Sequence, residues 1–346
     1  MSMVEGRGRR PSTTYPVTFD DVVAARDFLA SHLRPTPLIR REAVSAALGV
    51  EALLKCESAL PTAAFKVRGG LNLLGRDPTA KSGVIAASTG NHGQSLAYAG
   101  KRFGIPVTIV APIGANPLKL TAMREHGATI IEHGADYDDA REECERRAAA
   151  ERTRYVHSGN EPYLIAGVAT AALEVLEERP DVEVFIVPVG GGSGAAGACI
   201  VAKRLRPDVR VIGVQSEGAP AAYLSWRDRQ PREGGPIRTF AEGLATRSSF
   251  DLPQRILIDH LDDFVLVTDE DLYRAMRLLL VAGHQLAEGA GAAATAAAWK
   301  LRDQLRGKTV ALWISGANAT AESIQRALAP GGSAAGADPS GRRDGR

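Results

Sequence analysis

Between residues 82 and 159 short apolar runs alternate with longer stretches whose apolar positions recur every three or four residues, and glycines mark most of the changes of rhythm. Residues 83–87 (Gly-Val-Ile-Ala-Ala) read as a buried strand and 93–103 as its helix; 107–110 with 117–126, then 129–131 with 137–152, repeat the pair. Strand-length apolar runs followed by amphipathic helices predict parallel strands joined by right-handed crossovers. The same grammar continues in a helix over 163–178, a very apolar strand at 184–189, a helix over 195–205 and a strand at 209–214. A strand at 264–267, helices over 269–282 and 290–305, and a last buried strand at 310–314 complete it. Ahead of these, 18–32 has helical spacing, with Asp20 or Asp21 placed to favour its N-terminal end. The segment Arg34-Pro-Thr-Pro-Leu38 must be extended, because each proline pushes its predecessor out of the helical region. A short helix at 41–48 and a strand at 52–55 follow, while the Pro- and Gly-rich stretch 218–243 reads as irregular surface loop and lid. The expected fold class is α/β, with parallel-rich twisted sheets flanked by helices. The expected organisation is a flexible arm at 1–15, a large domain from 16–81 and 160–330, a small domain at 82–159 and a disordered tail at 331–346.

Composition narrows the function more than the fold. With 346 residues, 45% hydrophobic and 24% charged, the chain reads as soluble and globular, and a net charge of +2 gives no reason to expect nucleic acid or an acidic membrane as partner. Cys56, Cys144 and Cys199 are odd in number and far apart, which speaks against a disulfide framework or a paired-cysteine zinc site and fits a reducing cytoplasm. The first ten residues are polar and basic with no apolar core of a signal peptide, so an unexported cytoplasmic protein is expected.

Four stretches carry candidate chemistry. In Pro61-Thr-Ala-Ala-Phe-Lys-Val-Arg-Gly-Gly70 one lysine, Lys66, stands between apolar neighbours just before a glycine pair and an apolar helical run. Burial there disfavours the ammonium form, and a neutral amine attacks a carbonyl carbon to form a Schiff base. Val189-Gly190-Gly191-Gly192-Ser193-Gly194-Ala195 follows a buried strand and opens a helix, so its backbone N–H groups converge as a phosphate cradle. No Gly-Lys-Ser/Thr follows, and Gln215 rather than an acidic residue ends the next strand; a monophosphate therefore suits it better than a nucleotide. Ser88-Thr89-Gly90-Asn91-His92-Gly93 joins a strand to its helix and offers hydroxyls, an amide and free N–H groups, a grip for a carboxylate if Ser88 or Thr89 is not simply a helix cap. Ser315 ends the last strand at the carboxyl edge where ligands of open α/β sheets collect.

Taken together, and over about 35–318, these motifs resemble the fold-type II pyridoxal-phosphate enzymes, in the branch of threonine and serine dehydratases (threonine ammonia-lyases) and serine racemase. The matching segments are Arg34-Pro-Thr-Pro-Leu38, the lysine stretch, Ser88 to Gly93, Gly190 to Gly194 and Ser315-Gly-Ala-Asn318, with weaker support from Ile165-Ala-Gly167, Phe240-Ala-Glu-Gly243 and Glu288-Gly-Ala-Gly291. The resemblance implies a two-domain fold like that of the tryptophan synthase β subunit, pyridoxal 5′-phosphate as cofactor, and a homodimer. It implies that Lys66 holds the cofactor as a Schiff base and later moves the substrate α-proton. Phe65, Asn91 (to the 3′ oxygen), Gly190, Gly191, Gly192, Ser193, Gly194 (to the phosphate), Glu288 and Ser315 (to the pyridine nitrogen) would bind the cofactor. Ser88, Thr89, Gly90, Asn91 and His92 would bind an amino-acid substrate.

A neutral hydroxyl at the ring nitrogen favours loss of a β-hydroxyl over transaminase-like chemistry. The expected activity is therefore that of a lyase turning an L-threonine- or L-serine-type substrate into a 2-oxo acid and ammonia. Thr89 stands where related racemases place a catalytic serine, so racemisation is an alternative, as are β-replacement and dehydration of larger substrates such as phenylserine or hydroxyectoine-derived amino acids. Ala63-Ala64 replaces the family's small polar pair. Gln215 and Ala221 replace the acidic ligands of metal-binding relatives, and with only Glu217 nearby no tight divalent site is expected.

Overall fold

The computed structural model describes residues 15–329. The expected arm, except Tyr15, and the expected tail lie outside the described residues. Helix α1 (Phe19–Leu29) opens on a capping box: the Asp21 N–H donates to the Thr18 hydroxyl and the Thr18 N–H donates to the Asp21 carboxylate. The extended proline segment leads into β1 (Leu38–Arg40), then α2 (Glu42–Leu48), β2 (Glu51–Cys56) and α3 (Lys66–Arg76). Gly49 stops α2 at φ 70°, a left-handed turn that suits glycine.

The next seven elements are β3 (Val84–Ala87), α4 (Asn91–Phe103), β4 (Val107–Ala111), α5 (Pro117–Glu125), β5 (Thr129–Glu132), α6 (Tyr137–Glu151) and β6 (Arg154–Tyr155). Their strands form one sheet of order β5-β4-β3-β6, parallel throughout. The remaining chain gives α7 (Pro162–Glu178), β7 (Val184–Pro188), α8 (Ser193–Leu205), β8 (Arg210–Ser216), α9 (Ala221–Asp228), α10 (Asp251–His260) and β9 (Asp263–Val267). It ends with α11 (Asp269–Val281), α12 (Gly289–Lys300), α13 (Arg302–Leu305), β10 (Thr309–Ile314) and α14 (Ala321–Leu328). A six-stranded sheet of order β1-β2-β10-β7-β8-β9 results, in which only the β1–β2 pair is antiparallel.

Strand β7 shows why its sequence is apolar without alternation. Val184 and Ile186 enter one core with Val310, Leu312 and the alanines of α12, whereas Phe185 and Val187 enter the opposite core against α7 and α8. The small side chains of Ala292 to Ala298 bring α12 close against the sheet.

The structure corrects the sequence pattern in several places. The stretch read as wholly irregular, 218–243, contains α9, and α10, α14 and the short β6 were not expected. The single helix expected over 290–305 breaks at Leu301 into α12 and α13. Helices α4 and α8 start two residues earlier than their apolar periodicity does, because their first turns are made of polar and small residues.

Beneath the start of α3 lies a cluster of buried charges. Arg68 donates to both oxygens of Glu57 (2.7 and 2.9 Å) and to Glu174 (2.5 and 2.8 Å), while Lys55 Nζ reaches Glu174 at 2.6 Å. Thr36, from the extended proline segment, donates to Glu57 at 2.6 Å. Burial alone would raise the Glu174 carboxyl; the Arg68 hydrogen bonds and the Arg68 and Lys55 charges outweigh it and hold it below the usual range. Two cations against two carboxylates balance, and the cluster ties α3, α7, β2 and the proline segment together around the helix that begins with Lys66.

Candidate active site

The carboxyl ends of β3, β7 and β10 open on one cavity of about 420 Å³, walled by residues of both sheet systems. Lys66, the first residue of α3, projects into it. Its position is fixed by a zipper to the segment that follows β10. Phe65 N donates to Ser315 O (2.9 Å), Ala317 N donates to Ala63 O (2.8 Å), and Ala64 and Gly316 form an isolated antiparallel bridge. Ala63 takes φ 52° to make this turn, a left-handed conformation that costs a non-glycine residue about 1–2 kcal/mol.

The Lys66 amine donates to the Ser193 hydroxyl (3.1 Å) and to the Ser158 carbonyl (3.2 Å), and it lies 5.2 Å from the centre of the Phe65 ring. What exposure the side chain has is to the cavity, and desolvation there pushes its pKa down to about 8. Residues 66 and 193, distant in sequence, are thus in contact.

The glycine loop is closely hemmed in. A Cβ on Gly190 would stand 2.2 Å from the Gly243 carbonyl oxygen, and one on Gly191 2.3 Å from the Phe250 ring. Gly192 has φ 85° and caps α8, whose first residues are Ser193 and Gly194. At Gly190 and Gly191 only a bare backbone fits, and the start of α8 faces the cavity.

At the start of α4, Gly90 N (3.1 Å) and Gly93 N (2.8 Å) donate to the Ser88 hydroxyl, so that hydroxyl caps the loop. Thr89 and Gly90 line the cavity, and the N–H groups of Asn91 and His92 have no acceptor within the helix. Asn91 Nδ2 donates to Glu288 at 2.6 Å, and Asn91 Oδ1 accepts from Asn318 at 2.7 Å. Burial raises the Glu288 carboxyl, against opposing contributions from Lys119 and the Asn91 hydrogen bond. His92 is buried, with neither ring nitrogen hydrogen bonded among the described residues. Burial and then the Lys66 charge push its pKa down to about 3, and the Val156 backbone, outside hydrogen-bond geometry, offsets this only in part. The ring is neutral at physiological pH. Ser315 is also buried on the cavity wall.

The cavity therefore gathers every residue named in the sequence analysis as a candidate cofactor or substrate ligand. It also holds several that the pattern did not mark as site residues: Lys119, Tyr137, Ser158, Glu242 and Phe250. Lys119 reads in sequence as one more polar position of a surface helix, and Ser158 and Phe250 sit in connecting segments whose partners are far away. Gln215 is buried in β8, its Oε1 accepting from Tyr223 N at 3.1 Å, and Glu217 lies 3.6 Å from Lys300.

A nucleophilic amine of lowered pKa touching the serine of a glycine-rich anion cradle defines a site for a phosphorylated aldehyde. The chain belongs to the family of pyridoxal-phosphate dependent enzymes, whose model matches residues 29–316, and its fold is that of the fold-type II members. Within that family it is similar to an L-threonine ammonia-lyase of Thermotoga maritima, 39% identical over 319 residues that span 91% of this chain and 79% of that protein. It is also similar to the catabolic L-threonine dehydratase of Escherichia coli K12, 32% identical over 88% of this chain and 93% of the relative. Among solved structures, serine racemase from Dictyostelium discoideum superposes with a TM-score of 0.82 at 30% identity, covering 88% of this chain and 99% of that one. The residues present fit the cofactor: the loop of Gly190 to Gly194 leaves no room for side chains at Gly190 and Gly191 and opens a helix, as an anion cradle requires, and the Lys66 amine adjoins its Ser193 hydroxyl.

Proposed function

We propose that the protein converts a β-hydroxy α-amino acid of the L-threonine or L-serine type into a 2-oxo acid and ammonia. The α-proton and β-hydroxyl leave as water, and water taken up at the nitrogen-bearing carbon releases ammonia. The observation that carries this reading is the Lys66 amine, 3.1 Å from Ser193 in the glycine cradle. The relatives named threonine ammonia-lyase and threonine dehydratase, 32–39% identical over most of the chain, supply the reaction class.

Pyridoxal phosphate, when bound, supplies an aldehyde for an amine and a ring that draws electron density from the substrate α-carbon. In this reading the loop of Gly190 to Gly194 would hold its phosphate, Asn91 its 3′ oxygen and Ser315 its ring nitrogen, and Phe65 and Glu288 would line the same site. Lys66 would hold it through Nζ and would afterwards take the substrate α-proton there; in the cofactor-free chain a pKa of about 8 leaves a fraction of the amine neutral at pH 7.5. Asn91 stays oriented because Glu288 and Asn318 occupy both ends of its amide. The Thr89 to His92 segment would receive the substrate carboxylate on its backbone N–H groups.

We further infer a large domain of residues 16–81 and 160–330 carrying the six-stranded sheet, and a small domain of 82–159. The second division is supported by the four strands of the other sheet, which all fall within it. A cytoplasmic homodimer acting on serine as well as threonine completes the proposal. No helix among the described residues is long and apolar enough to cross a membrane.

The test is release of 2-oxobutanoate from L-threonine and pyruvate from L-serine by the purified protein, lost in Lys66→Ala. Persistent activity in that variant would rule the assignment out. The Thr89 hydroxyl on the cavity wall favours racemisation as a second reading, so D-serine is followed in the same assay.

A further inference from the structure

Lys119, on α5, is buried, and its ammonium lies 2.6 Å from Glu242 Oε2. Its stem and amine lie beside the carboxylate loop: a Cβ on Gly90 would sit in ordinary contact with them, 3.5 Å from Lys119 Nζ. Glu242 is held differently: its side chain is 45% exposed, on a short turn (Glu242–Leu244) whose Gly243 carbonyl abuts the glycine cradle. Both residues line the cavity. A buried cation is thus paired with a solvated carboxylate beside the first turn of α4. That turn offers the Asn91 and His92 backbone amides, which are neutral. The Ser88 hydroxyl is already committed to Gly90 and Gly93. The neutral donors leave an incoming carboxylate without a counter-charge, and the ammonium nearest to Gly90 supplies one.

We infer that Lys119 is the charged anchor of the substrate α-carboxylate and that Glu242 is a built-in stand-in for it, released to solvent when the substrate binds. The inference rests on the proposed amino-acid substrate and adds a specificity-determining residue to that site. The exchange is near balance by design: one carboxylate leaves the ammonium as another arrives, so the buried cation is never unpaired. It selects for a free carboxylate, since a neutral amide in its place does not displace Glu242.

The two partners then have opposite effects. Lys119→Met removes the anchor and should raise KM for L-threonine about 10- to 100-fold, with kcat changed less than about threefold. Glu242→Gln removes the competitor and should lower KM about three- to tenfold. In the Lys119→Met background Glu242→Gln should have no further effect, and Lys119→Arg should restore most of the binding. Calorimetric binding of butanoate, a carboxylate with no amine to react, should follow the same order. It is measured on the same holoproteins, whose retained visible band and melting temperature establish that they are folded. If both single variants weaken binding alike, the pair is a structural clasp and the inference is overturned. A Lys119→Met effect below about twofold on both KM and butanoate binding overturns it as well. Failure of the wild-type protein to release oxo acid from either amino acid would sink the proposed reaction instead, and the butanoate series would still decide the role of Lys119.

Discussion

Replacing Lys66 with methionine should make the cofactor-free protein more stable at neutral pH while destroying its activity. In the folded chain burial holds the amine at about 8, against 10.5 for an ordinary lysine. At about 1.4 kcal/mol per pH unit, keeping that ammonium in the fold costs about 3 kcal/mol below pH 8. Methionine removes that cost and forfeits two hydrogen bonds, to Ser193 and Ser158, of about 1 kcal/mol each. A net gain of about 1 kcal/mol at pH 7 remains. The sign of the pH dependence follows from the direction of the shift. Between 8 and 10.5 the unfolded chain keeps the proton that the folded chain has released, so the wild-type protein gains stability as pH rises through this window. By pH 9.5 that gain amounts to about 2 kcal/mol, and the methionine variant lacks it. Urea unfolding of both cofactor-free proteins at pH 7 and pH 9.5 reads the difference, because titrations elsewhere cancel between them. A stability difference that stays the same at the two pH values would refute a desolvated lysine at this position.

Gly190→Ala should cut pyridoxal-phosphate affinity more than about tenfold in a spectral titration, since its Cβ cannot clear the Gly243 carbonyl without moving the backbone. Arg68→Met should lower unfolding stability by about 3–5 kcal/mol, because Glu57 loses its bidentate partner in the core and Glu174 is left with Lys55 and the Thr36 N–H. Glu174→Gln should flatten the acid limb of the stability curve. The wild-type carboxyl, held below the usual range, contributes stability above the ordinary glutamate pKa that is lost as pH falls through the lower folded value; thermal melts between pH 3 and 6 test this.

The parts of the fold with strong periodicity were legible before any coordinates. Strands such as β7 and β3 are apolar on both faces, and the parallel order follows from the alternation of strand and helix. Helices α9, α10 and α14 were not: α9 sits amid prolines and glycines, and α10 carries Pro253 in its first turn, residues that punctuate the pattern without abolishing the helix. The site was legible where chemistry is local: Lys66 between apolar neighbours, the glycine run, and Ser315 at a strand end. Contacts that cross the chain were hidden, since nothing local to Lys119 announces Glu242 more than a hundred residues on, or to Gly191 that it must admit the ring of Phe250. The Asn91 amide shows both cases at once. Its presence in the loop was readable, but the clamp by Glu288 and Asn318 that orients it exists only in three dimensions.

The most direct test of the account is to reduce the pyridoxal-phosphate-loaded protein with borohydride, digest it and locate the modified lysine by mass spectrometry. A phosphopyridoxyl group on Lys66 is expected, with loss of the visible absorbance band. The same label on a different lysine, or an unmodified Lys66 peptide in a protein that has lost its band, would contradict it.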